Sequence, residues 1–258
     1  MRIGEALKEI SANNVALAEK QQQVYDAGVA EGFDAGRQAE YDAFWDAIQP
    51  RKGDVYYYSA TFGQAWTTDI FKPKYDVTVG SAVFMFAYNQ IGGDLVEYFE
   101  HLGKKLDFSQ CGNANNAFQI SQFTRLGGIY CSTASWYNTF ASCTKLETID
   151  EWGNYDENGT INGGLTGTFS GCTALKNLTV KGVIIGNIDL KWSVELSKAS
   201  IMSVINHLSP TTTYVTLTLS KDAVQKAFET VEGANDGTTS TEWLALIATK
   251  PGWTISLV

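Results

Sequence analysis

Phe140, Cys143, Leu146 and Ile149 recur as Phe169, Cys172, Leu175 and Leu178, a Phe-x-x-Cys-Thr-x-Leu-x-x-Ile/Leu unit repeated after 29 residues. A repeat of this period is one supersecondary unit that cannot bury its apolar side alone, so the units must stack. Weaker copies flank the pair. Phe118 and Ser121 precede Leu126 and Ile129, and Phe86 and Asn89 precede Leu95. The intervals between phenylalanines run from 22 to 32 residues, so the units carry insertions of different length. Leu190 and Leu196 then lead into a helical pattern over 201–208 and an alternating strand over 214–219.

The N-terminus has a different period. Ile3, Leu7, Ile10, Asn14, Leu17, Gln21 and Val24 fill seven consecutive positions of a 3-4 alternation. Such a seam predicts a coiled coil, because a lone helix gains nothing from the stripe in water. Asn14 and Gln21 on the seam specify register, and the Ile/Leu distribution favours a trimer over a dimer. Gly28, Gly32 and Gly36 follow, and Pro50 ends the helical pattern. Residues 51–80 hold two β-branched and aromatic runs, read as a connecting segment that caps the stack. Past residue 220, a short helix with Ser220 as N-cap, a polar loop, a second helix at 241–248 and a strand at 253–258 form a terminal unit.

Composition narrows the function. The net charge of −9 disfavours nucleic acid as a partner. No apolar run approaches a membrane span and no secretion signal is visible, so assembly in a cytoplasm is expected. The four cysteines form no Cys-x-x-Cys pair; buried free thiols are expected, with no metal and no cofactor. His101 and His207 lack metal-like neighbours, and no P-loop, nucleophile elbow or zincin motif occurs. Asp150, Glu151, Asp156 and Glu157 surround Trp152 and Tyr155. They are read as a turn-forming insertion, with a sugar-cleaving pair as the competing reading. Trp136, Tyr137, Trp152, Tyr155 and Trp192 are the candidate ligand-binding residues, since exposed aromatics stack on sugars and anchor interfaces.

The repeated unit resembles the BspA-like class of leucine-rich repeats. With the helical N-terminus and the stretch 39–45 (AEYDAFW), the layout is similar to proteins encoded by tailed phages and prophages of gut bacteria. The resemblance implies an α+β chain: an oligomerising coiled-coil helix (1–49), a connecting cap (50–80), a short irregular leucine-rich-repeat-like solenoid (81–220) and a C-terminal cap (221–258). It implies a non-enzymatic virion structural protein, assembled in the host cytoplasm. Its partners would be copies of itself, other virion proteins and a host-surface glycan or protein. A bacterial adhesin and a carbohydrate-active enzyme are the alternatives.

Overall fold

The computed structural model describes residues 55–59, 76–89, 92–132, 135–162, 164–229 and 236–258. The inward residues of the repeat decide the architecture. Phe140, Cys143, Ile149, Phe169, Cys172 and Leu175 are fully buried, with Leu146 and Leu178 nearly so. Each unit makes a turn around its phenylalanine and then a strand, and each strand lies parallel to that of the unit before. Strands β1 (Val55–Ser59), β2 (Val77–Val83) and β4 (Leu106–Asp107) form one sheet. Strands β3 (Gly93–Asp94), β5 (Phe123–Tyr130), β6 (Thr148–Gly153) and β8 (Asn177–Lys181) form the central sheet. β7 (Thr160–Ile161) pairs with β9 (Val183–Ile184), and β10 (Ile188–Leu190), β11 (Val215–Leu219) and β12 (Trp253–Leu257) make the last sheet. Helices α1 (Leu95–His101), α2 (Lys198–Asn206), α3 (Lys221–Phe228) and α4 (Thr241–Ala248) interrupt the strands.

This overturns the α+β expectation. Every strand pair among the described residues is parallel, and four helices are interspersed with the strands, so the fold is mixed α/β. A unit that returns to the same side after each circuit meets its predecessor running in the same direction. Nor is the repeat region one uninterrupted solenoid: its strands divide among separate sheets, and helices replace strands on both sides of the central one. The coiled-coil seam, from Ile3 through Leu7, Ile10, Asn14, Leu17 and Gln21 to Val24, lies outside the described residues, as does most of 50–80.

The turns stack through side chains and backbone together. Phe86, Phe118, Phe140 and Phe169 form a column with successive ring centroids 5.2, 5.6 and 5.4 Å apart and planes within 16–21° of parallel. Around them the amides of Phe86, Phe118 and Phe140 donate to Ala117, Thr139 and Thr168 of the next turn. The residues two before and two after each phenylalanine adopt positive φ: Phe84 and Tyr88, Asn116 and Ile120, Asn138 and Ser142, Gly167 and Gly171. The cysteine of the unit is a cross-link of another kind. The Cys143 and Cys172 thiols donate to the carbonyls of Phe118 and Phe140, at 2.8 and 3.0 Å. Ser121, which stands where cysteine does, lies 3.4 Å from the Cys143 sulfur.

Burial pushes the Cys143 thiol up from 9.0 to about 11, and that of Cys172 well above its ordinary value. The folded state therefore resists thiolate formation more than the unfolded chain does. The resulting stability is fully present below pH 9.0 and is lost as pH rises through about 11. The urea midpoint is expected to fall between about pH 8 and about pH 10.5, less steeply in Cys143→Ser. A flat profile in the parent chain refutes this.

The far edge of the central sheet is closed by α2. The amides of Leu178 and Val180 on β8 donate to the hydroxyls of Ser200 and Ser203, at 2.8 and 2.9 Å. The Ser200 hydroxyl also donates to the Lys176 carbonyl at 3.0 Å. Ser200→Ala strands a buried amide and is expected to cost about 1–3 kcal/mol in denaturant unfolding. A loss below about 0.5 kcal/mol would show that the edge closes without the hydroxyl.

Candidate functional site

The near edge of the same sheet is built differently, and a groove results. The chain leaves β3 after two residues, and Asp94 caps α1 by accepting from the amides of Val96 and Glu97. The helix lies beside β5 where a strand of the stack would run. β3 pairs with β5 only at Gly93 and Asp94, opposite Phe123 and Arg125, while β4 pairs with β2. The Gly128–Tyr130 half of β5 pairs with β6 on one side and with no strand on the other among the described residues. Between it, α1 and the link to β4 lies a cavity of about 460 Å³. Val96 and Phe99 of α1, Leu106 and Phe108, and Gly127 and Gly128 supply its apolar walls; Glu100, Lys104, Lys105, Asp107, Tyr130 and Asp150 its polar lining.

A register irregularity shapes the outer face. Asp150 and Glu151 together stand opposite Thr179 alone, since Ile149 pairs with Leu178 and Trp152 with Val180. Gly127 and Gly128 occupy the corresponding place on β5, where the buried residues are Phe123, Leu126 and Ile129. Such bulges re-aim side chains and locally disrupt the ladder. Here one strand contributes two glycines and the next two carboxylates. A Cβ on Gly127 would sit 3.3 Å from the Val96 side chain, and one on Gly128 2.5 Å from the Tyr130 hydroxyl oxygen, so side chains there would fill the groove.

The charges beside the groove are mostly spoken for. The Arg125 guanidinium donates to both Asp150 oxygens, at 3.0 and 2.9 Å, and to Asp94 at 3.3 Å. Asp107 accepts from the amide and hydroxyl of Ser109. The Tyr130 hydroxyl donates to Glu151, and burial together with that carboxylate raises the phenol above its ordinary value. The Lys181 ammonium lies 4.0 Å from Glu151 and over the rings of Tyr130 and Tyr155, which meet edge to face at 5.4 Å. Glu100, Lys104 and Lys105 on the rim are outside any ion pair among the described residues.

The sequence-predicted aromatics separate. Trp136 and Trp152 are fully buried, 5.4 Å apart at 64°, with Trp152 also edge-on to Phe169. They are core, which corrects their expected ligand role; their indole N–H groups have no partner among the described residues. Tyr137, Tyr155 and Trp192 are about half exposed, at 47, 54 and 47%. Of these, Tyr155 stands in the Tyr130–Lys181 cluster. Tyr137 lies on the phenylalanine turns, and Trp192 beside Lys191 after β10. Asp156 is used in its own turn, accepting from the Asn158 amide. Among the described residues no group of three His, Cys, Asp or Glu converges on a metal position, and no helix is long and apolar enough to cross a membrane.

Sequence reasoning passed over Gly127, Gly128, Arg125 and Tyr130. The available signal was spacing. Leu126 to Ile129 and Ile149 to Trp152 are three apart, where Leu178 to Val180 is two, so an extra residue in two adjacent strands was legible as a stacked bulge. No family model, curated protein or solved structure matches this chain.

Proposed function

We propose that this chain is a non-enzymatic recognition protein that self-associates through its N-terminal segment and presents the α1–β5 groove to a partner. The setting implied by its resemblance is a phage virion appendage contacting a host-surface molecule. The groove carries the reading: its volume of about 460 Å³ is that of a ligand site, and its walls are apolar with a few polar groups at the rim. The chemistry of the lining favours binding over turnover. Asp150 and Asp107 have both oxygens engaged, which leaves Glu100 of the lining without a second unengaged carboxylate to complete an acid–base pair.

Gly127→Val tests it. Valine suits a strand and its branches occupy the groove. The variant is expected to keep a cooperative thermal transition, its midpoint shifted by the tight 3.3 Å approach to the Val96 side chain, and to lose at least about tenfold in affinity for whatever the parent selects from glycan and peptide arrays. Absence of selection in both formats, or binding indifferent to Gly127→Val, overturns the groove as the recognition site. Light scattering on the full chain should report an oligomer; a strict monomer overturns the self-association.

A further inference from the structure

The two edges of the central sheet differ in a way that identifies what the groove takes. At the far edge, α2 offers Ser200 and Ser203 to the amides of β8. At the near edge, α1 faces β5 with the side chains of Leu95, Val96 and Phe99, which carry no hydrogen-bond acceptor. The backbone of Gly127, Gly128 and Ile129 makes no hydrogen bond to α1 or to the link at 102–108. In a parallel strand alternate residues direct their N–H and C=O groups to opposite neighbours. One set on β5 is therefore presented to the groove, bounded by an apolar helix and floored by glycines.

We infer that the groove binds an extended peptide segment by strand addition to Gly127–Tyr130, with an apolar side chain against Val96 and Leu106 and an acidic residue beside Lys104 and Lys105. This deepens the recognition reading above and rests on it. A strand between a helix and a sheet edge gains affinity from main-chain hydrogen bonds and specificity from alternate side chains. The charge preference follows from two adjacent lysines of the rim: Lys104 and Lys105 lie outside ion pairs among the described residues, while the two lining carboxylates also outside them are Glu100 on α1 and Asp107, whose oxygens are taken by Ser109. A sugar ring would leave the row of backbone groups without a matching row of partners, so the open edge favours peptide over glycan.

The experiment selects dodecapeptides from a displayed random library against the full chain, then follows backbone amide exchange over 123–131 with the synthetic winners bound. Winners are expected to alternate apolar residues, carry a flanking Asp or Glu, and slow exchange at 126–130. They should lose at least about tenfold in affinity to Gly127→Val and several-fold to the paired Lys104→Glu and Lys105→Glu changes. N-methylation of alternate peptide amides should abolish binding, and methylation of the intervening ones should not. Winners that leave exchange at 126–130 unchanged, or that tolerate every methylation, overturn strand addition. A glycan-array ligand blocked by Gly127→Val, with no peptide selected, overturns it while leaving the recognition reading standing. Failure in both formats removes both.

Discussion

Phe140→Ala is expected to destabilise the protein by about 3–5 kcal/mol, measured as a lower urea midpoint at constant slope. The ring is fully buried in the middle of the phenylalanine column, with Phe118 and Phe169 stacked on its two faces at 5.6 and 5.4 Å. Removing it leaves a cavity that the neighbouring turns cannot close. Their spacing is held by the backbone bonds from Phe118 to Thr139 and from Phe140 to Thr168. Since each unit is supported by its neighbours, Phe118→Ala and Phe140→Ala should couple by more than about 0.5 kcal/mol. Phe140→Leu retains most of the apolar volume and should cost markedly less. A loss below about 1 kcal/mol for Phe140→Ala, or additivity of the two alanines, would show that the column fills space without joining the units.

Gly153→Ala is expected to be comparably severe, at about 3 kcal/mol or more from backbone strain together with a lost hydrogen bond. Gly153 ends β6 at φ +136°, and a Cβ there would lie 2.1 Å from the Lys181 carbonyl oxygen and 2.6 Å from the Ile161 side chain. The carbonyl cannot retreat freely, because it accepts the Asn154 amide at 2.9 Å. Gly93 separates the two causes. It has φ +93° with nothing within 4 Å of its Cβ position, so Gly93→Ala should show the strain without the collision. Equal losses at the two positions would assign the effect to strain alone.

The inward positions of the good units were legible because burial in a repeat is a one-dimensional pattern. Phe140, Cys143, Leu146 and Ile149 lie inside for the same reason that Phe169, Cys172, Leu175 and Leu178 do. The reading failed at Trp152. Asp150, Glu151 and Trp152, expected in a turn-forming insertion, lie in β6, where the extra residue leaves Glu151 half-buried beside Tyr130 and puts Trp152 in the core. One inserted residue exchanges the faces of everything after it. Residue type alone could not separate the two buried tryptophans from Tyr137, Tyr155 and Trp192, which project into solvent.

From its own pattern the chain determined that its middle units stack, which side chains face the stack, and that Ser220 caps a helix. These follow from local spacing and from the need of an open-ended unit to bury its apolar side. Strand direction, the division into separate sheets, and the substitution of α1 for a strand beside β5 were decided only in three dimensions. They depend on which backbone groups meet after a circuit of 22 to 32 residues. The groove belongs wholly to that second class. Val96, Lys104, Gly127 and Asp150 come from three successive circuits, and no spacing along the chain brings them to one place until the circuits have closed.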